Sequence, residues 1–259
     1  MDLMLAVPGA IAIGLSLGLL GSGGSILTVP VLVYLLGQDE KVAIAGSLFI
    51  VGSIALAGGL QFLRAGFVQW RSVVTFGIPG MAGTYLGAVL AAYVSGVMQL
   101  ALFALVMLGA SWLMLRPLDL EHADRRRRAT WKIAIDGLVV GIITGLVGVG
   151  GGFLIVPALV LLGGLSMHHA VATSLIIIAL KSFSGFWKYL DVLEQQSLEL
   201  DWKVLLMVTA LGIAGSVVGS KLARRLPQDK LKRAFGWFLI VMGIYILARS
   251  APAALGLTA

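Results

Sequence analysis

One apolar sentence is written twice in this chain. Gly18-Leu19-Leu20-Gly21-Ser22-Gly23-Gly24-Ser25-Ile26-Leu27-Thr28-Val29-Pro30 returns 127 positions later as Gly145-Leu146-Val147-Gly148-Val149-Gly150-Gly151-Gly152-Phe153-Leu154-Ile155-Val156-Pro157. Each copy opens a half of the molecule, and each breaks a long apolar run with glycines. A repeated, broken apolar segment predicts a fold made of two copies of one unit, with its working site near the breaks.

The bilayer is the solvent for most of this chain. Of 259 residues, 59% are hydrophobic and 12% charged, and the mean hydropathy is +1.01. A water-soluble domain of this length could not hide so much apolar surface. The apolar runs are long and continuous, which excludes the alternating short segments of a β-barrel. The expected class is an all-α polytopic membrane protein of about 8–10 membrane segments. There is no cysteine, so disulfides and thiolate-held metals are excluded. Asp2 and the lack of a basic leader argue against a cleaved signal peptide. The net charge of +7 sits in short loops and is expected to set topology, not to bind nucleic acid.

Apolar stretches fall at 3–36, 43–63, 72–94 and 98–115, then again at 132–163, 169–187, 203–222 and 234–249. The sequence thus divides into a first transmembrane repeat (1–116), a basic cytoplasmic linker (117–131) and a second repeat (132–259). The opening stretch of each repeat exceeds the roughly 20 residues of one crossing. It reads as two elements that enter and return, either as a full pair or as a re-entrant hairpin. Three spanning helices follow in each half.

Loop charge supports this reading. Arg125-Arg126-Arg127-Arg128 places its linker in the cytoplasm, as do the six Lys or Arg between Lys221 and Arg233. Asp191–Asp201 carries four acids and no Lys or Arg, and suits the outside. The three placements agree only if 132–163 returns to the side from which it started. In the first half Arg64 and Arg71 then lie inside, with Gln38–Lys41 and Ser95–Met98 outside. Equivalent loops carry opposite charge, as expected of inverted-topology repeats with both termini outside.

The repeat extends past the glycines. Ala43-Ile44-Ala45-Gly46-Ser47-Leu48 matches Ala170-Val171-Ala172-Thr173-Ser174-Leu175, and Trp70-Arg71 matches Trp202-Lys203. Gly80, Gly83 and Gly87 pair with Gly212, Gly215 and Gly219, small residues on one helical face that suit close packing in lipid.

The doubled Gly-x-Gly-Gly-[GS]-x-Leu-x-Val-Pro, each copy followed by Ala-x-[AG]-[TG]-Ser-Leu, resembles the sulfite exporter TauE/SafE family of membrane transporters. Gly66-Phe67-Val68-Gln69-Trp70-Arg71 fits the same family. The resemblance covers essentially the whole chain. It implies transport of sulfite or a small organosulfur anion, usually outward across the bacterial inner membrane. Ser25 and Gly46 stand where the second copy has Gly152 and Thr173, so the halves are expected to contribute unequally.

The candidate site follows from the charge of such a cargo. A helix that begins inside the membrane offers free N–H groups and a positive dipole end, and glycine lets an anion approach them. Ser22, Gly23, Gly24 and Ser25 in one half, and Gly150, Gly151 and Gly152 in the other, fit that role; simple helix kinking is the competing reading. Ser47, Thr173 and Ser174 would add hydroxyls, or else back-bond to their own helices. Lys181 is a lone cation within Ser174–Gly185, in a span whose repeat counterpart has Ile54. It should face a cavity or partner, since an ionisable group at a helix centre costs about 2.5–3.5 kcal/mol; the alternative is snorkelling towards the outer interface. Asp136 reads as interfacial. His168 and His169, without nearby carboxylates, read as loop, and no metal or cofactor is expected. Trp70, Trp187, Tyr189 and Trp202 read as interface anchors.

The expected function is therefore a secondary transporter or facilitator of a small anion, working by alternating access within the lipid bilayer. No phosphate-binding loop for ATP occurs, and no acidic coupling residue stands out. An intramembrane enzyme would need a buried nucleophile, base or metal cluster beyond Lys181, Asp136 and hydroxyls. A passive channel would want a continuous polar ring. A homo-oligomer is compatible with such a chain.

Overall fold

In the computed structural model the described residues are 3–20, 24–64, 66–115, 130–148, 152–161, 163–223 and 228–254, and they form helices joined by short turns. The first half contains α1 (Leu3–Leu20), α2 (Gly24–Pro30), α3 (Glu40–Arg64), α4 (Trp70–Ser72), α5 (Ile78–Ala91) and α6 (Gly96–Leu115). The second contains α7 (Thr130–Val147), α8 (Gly152–Leu161), α9 (Met167–Gln195), α10 (Trp202–Ala223) and α11 (Gln228–Ala254). Among the described residues, five stretches are long and apolar enough to cross a membrane: Glu40–Arg64, Trp70–Ala91, Thr130–Val147, His169–Gln195 and Trp202–Leu222.

Proline shapes two of the first-half elements. Pro30 and Pro79 lack the N–H that would bond four residues back. A π-helical stretch follows the first, Val31–Leu35, and another precedes the second, Val73–Gly77. The latter joins α4 to α5, so 70–91 is one continuous crossing with a loosened turn near its start. The opening segment of the first half is an antiparallel hairpin. Gly24 lies against Leu17 and the Ile13 carbonyl, while Gly9 lies against Val31 and Leu35. The chain therefore does turn back within 3–36, as the excess length and glycine break of that stretch predict.

Helix α9 runs further than its apolar sequence suggests. The charged stretch from Lys188 continues the helix to Gln195, supported by the Lys188–Asp191 pair at 2.7 Å, one turn apart. Its 29 residues span about 44 Å.

The halves interleave. Helix α1 packs on α10, α5 on α7, α3 on α9 and α6 on α11, every pair joining one half to the other. Exchanging the halves converts the first pair into the second and leaves the last two unchanged. The agreement reaches single atoms. A Cβ on Gly14 would collide with the Gly212 carbonyl, and one on Gly18 with that of Ser216. At the matching positions, a Cβ on Gly141 would strike the Gly80 carbonyl and one on Gly145 that of Thr84. Gly215 meets the Ile11 carbonyl as Gly83 meets that of Leu138, and Gly219 meets that of Leu15 as Gly87 meets that of Ile142. These backbones touch, so the triplets read from sequence as packing glycines are indeed contact surfaces.

Between the paired bundles, α3 and α9 cross antiparallel. Gly59 lies against Ile176, Gly52 against Ser182 and Gly185 against Leu48. One end of the crossing is tied down by Lys41, whose buried ammonium donates to the Ala91 and Val94 carbonyls where α5 ends. A cation there meets the negative end of the helix dipole.

The matched contacts lead to a matched prediction. Gly83→Val and Gly215→Val should each destabilise the protein, by about 1–3 kcal/mol or more, because the added carbons have backbone in their way. Thermal unfolding in mild detergent checks this; a variant with unchanged stability would show that its helix pair does not need the contact.

Candidate functional site

Lys181 is the middle residue of α9, and the structure buries it completely. Its stem lies along Gly80 of α5. A Cβ on Gly80 would stand 3.0 Å from Lys181 Cδ and 3.4 Å from Cε, and 3.4 Å from the Gly137 carbonyl of α7. Lys181 Nζ has no hydrogen-bond partner. The side chain does not snorkel; it ends inside the α5–α7–α9 contact. A buried ammonium without acceptors is costly, so the position calls for a ligand of opposite charge.

Ser182, next in the chain, is also fully buried, and its hydroxyl has no partner either. It faces Gly52 of α3. Sequence reasoning passed over Ser182, because a serine in an apolar helix is ordinary when it bonds back to its own turn. The absence of that bond becomes visible only in three dimensions.

The other candidates are engaged with backbone. Ser47 Oγ shares its proton between the Ile44 carbonyl at 2.9 Å and the Gly148 carbonyl at 2.5 Å. It thereby ties α3 to the second glycine break. Gly148 has φ +75°, and a Cβ there would collide with Ile44 Cγ2, so both conformation and space demand glycine. Ser174 Oγ donates to the Val171 carbonyl at 2.8 Å. Thr173 Oγ1 accepts the Gln69 N–H at 3.0 Å, holding the loop before α4. Ser174 precedes Lys181 by seven residues, about 10 Å along the helix. The hydroxyls and the amine are thus spread along the crossing, not gathered at one point. Gly24 and Ser25 begin α2 and are buried against α1. Gly152 begins α8, while Ser22, Gly23, Gly150 and Gly151 lie outside the described residues.

A buried clamp secures the end of α7 just before the second break. Gln99 Nε2 donates to the Leu146 carbonyl at 2.5 Å and to Tyr189 Oη at 2.8 Å, and the Tyr189 hydroxyl donates to the same carbonyl at 3.1 Å. Tyr189 is therefore no interface anchor: it is fully buried, whereas Trp70, Trp187 and Trp202 are exposed. The difference arises because α9 continues beyond Lys188, which leaves Tyr189 inside the bundle.

Comparison with known proteins gives this arrangement a family. The model of the sulfite exporter TauE/SafE family matches residues 6–246. A probable membrane transporter protein of Xylella fastidiosa (strain 9a5c) is 34% identical over 246 residues, covering 92% of each chain. The probable membrane transporter protein YunE of Bacillus subtilis (strain 168) is 30% identical, covering 94% of this chain and 96% of its own. A probable membrane transporter protein of Methanocaldococcus jannaschii is 24% identical, covering 95% and 97%. No solved structure matches the chain. With the glycine-broken repeats, the helices of membrane length and a match that runs nearly end to end, the chain belongs to the sulfite exporter TauE/SafE family and is a multi-pass membrane transporter.

Proposed function

We propose that the protein carries sulfite, or a closely related small sulfur oxyanion, outward across the bacterial inner membrane, with Lys181 as the cationic group that receives it. The observation that carries this reading is the Lys181 amine, fully buried at the middle of a spanning helix and without a partner, in a chain of this family. In this reading the glycine breaks, Ser22–Ser25 and Gly150–Gly152, would offer the anion further backbone N–H groups. Ser47, Thr173 and Ser174 act one step back, holding backbone near the breaks and the adjoining loop.

The mechanism in this reading is alternating access by two inverted repeats. Three observations support it. Loop charges reverse between the halves. The helix pairs α1–α10 and α5–α7 run parallel while α3 and α9 cross antiparallel, as opposite insertion of the halves requires. The backbone contacts of α1 on α10 recur in α7 on α5 when the halves are exchanged, as conformations that swap the roles of the halves require. Outward movement needs no coupled ion, because an inside-negative potential favours anion exit by about 2.3 kcal/mol per charge per 100 mV.

Purified protein in proteoliposomes tests the substrate. Saturable sulfite movement is expected, driven towards the positive side by an imposed potential. Sulfate, thiosulfate and a taurine-like sulfonate, offered in parallel, rank the alternatives. If none of the four moves saturably, the proposal fails.

Lys181→Met, which keeps the stem and removes the charge, should lower apparent sulfite affinity about tenfold or more, a loss of roughly 1.4 kcal/mol. Unchanged affinity in a monodisperse variant would remove Lys181 from the site. For the topology, Glu194→Cys should react with an impermeant thiol reagent applied from outside the cell. Reaction only from the cytoplasm would overturn the inverted arrangement.

A further inference from the structure

The two halves match so closely in their contacts that the places where they differ are informative. Ile54 and Lys181 are equivalent in the repeat, and so are Ala55 and Ser182. The structure puts the first pair in equivalent surroundings. Ile54 lies against Gly212 of α10, just as Lys181 lies against Gly80 of α5, and Gly212 and Gly80 are themselves a repeat pair. All four side chains are 0% exposed. Towards α10 the crossing thus holds Ile54 in close apolar contact. Towards α5 it holds the Lys181 amine, and beside it, turned to Gly52 of α3, the Ser182 hydroxyl, neither with a partner.

The helix beside the polar pair differs as well. Val73–Gly77, directly before α5 reaches Gly80, is π-helical, whereas its counterpart α10 is uninterrupted α-helix from Trp202 to Ala223. Single π-helical turns loosen a helix locally and occur frequently at functional sites. Gly137 of α7 approaches this turn so closely that a Cβ would strike the Phe76 carbonyl, which holds α7 against it.

We infer that the cargo path is one-sided: water and anion pass beside Lys181, where α9 meets α5 next to its π-helical turn, and reach the neighbouring Ser182 at the edge turned to α3, while the equivalent Ile54 and Ala55 positions of α3 stay sealed throughout the cycle. The site then accepts a single anionic group, because only one of the two symmetric positions carries a cation. Gly80 is its specificity-determining residue, since any side chain there meets the lysine stem before a ligand does. The halves are equal as moving parts and unequal as binding surfaces. This inference rests on the reading above for the identity of the cargo, but not for the location of the path.

The absence of cysteine allows a test that does not depend on the substrate. Four single variants are made in two matched pairs, Lys181→Cys with Ile54→Cys and Ser182→Cys with Ala55→Cys, and reconstituted. The second pair exchanges small side chains for one of similar size, so it reports even if the first pair misfolds. A small thiol reagent bearing a sulfonate is applied from both sides of the membrane. Lys181→Cys and Ser182→Cys should be labelled, while Ile54→Cys and Ala55→Cys stay unlabelled over the same time. Equal labelling within the pairs, labelling of the α3 positions alone, or no labelling of either α9 position would each overturn the one-sided path. Failure of sulfite transport with the expected labelling pattern would instead remove only the substrate assignment.

Discussion

Carbonyl oxygens standing where side chains would be are the constraint on which this structure depends. In lipid there is no hydrophobic gain in bringing two apolar helices together, so dispersion at close range and matched surfaces must do it. Gly14 and Gly18 against α10, and Gly141 and Gly145 against α5, bring the backbones into direct contact. These two ridges join the halves on either side of the α3–α9 crossing. Without them the central helices would have no fixed separation, and the Lys181 stem would lose the α5 backbone it lies along.

Polar groups are used sparingly within this frame, and most are spent on backbone. Lys41 closes the end of α5, Gln99 and Tyr189 close the end of α7, and Ser47 holds the turn at Gly148. Each satisfies carbonyls that a helix end leaves open. Lys181 Nζ and Ser182 Oγ are instead buried with nothing to bond, as are Gln38 Oε1 and Gln99 Oε1. Among these, Lys181 and Ser182 lie side by side in the middle of a spanning helix, away from any helix end.

Much of this was legible in the sequence, for physical reasons that differ by residue. The doubled glycine-proline segment and the triplets at Gly80 and Gly212 repeat at a constant spacing, and spacing survives in one dimension. Lys181 was legible because a charge in an apolar run has few places to go. The partners of the triplets were not, since Gly14 and Gly141 carry no local sign of which helix they will meet. Ser182 was silent for the same reason. Tyr189 misled because its depth depends on where α9 ends, and the Lys188–Asp191 pair carries that helix past the point where apolarity stops. The antiparallel return of α2 was implied by the length of the opening stretch and the glycines that cut it, since a run too long for one crossing and broken near its middle must fold back.

The interleaving of the halves also bears on how the chain is made. Helix α1 ends at Leu20, and the ridge it packs against begins at Trp202. During synthesis α1 enters the bilayer with its contact face of glycines bare, and nearly two hundred residues must follow before its partner exists. Lipid, unlike water, tolerates that wait, because an unpaired apolar helix there exposes no surface that drives aggregation. The late arrival of α10 therefore makes completion of the fold a property of the finished chain, and leaves a truncated copy lacking one of its two backbone ridges.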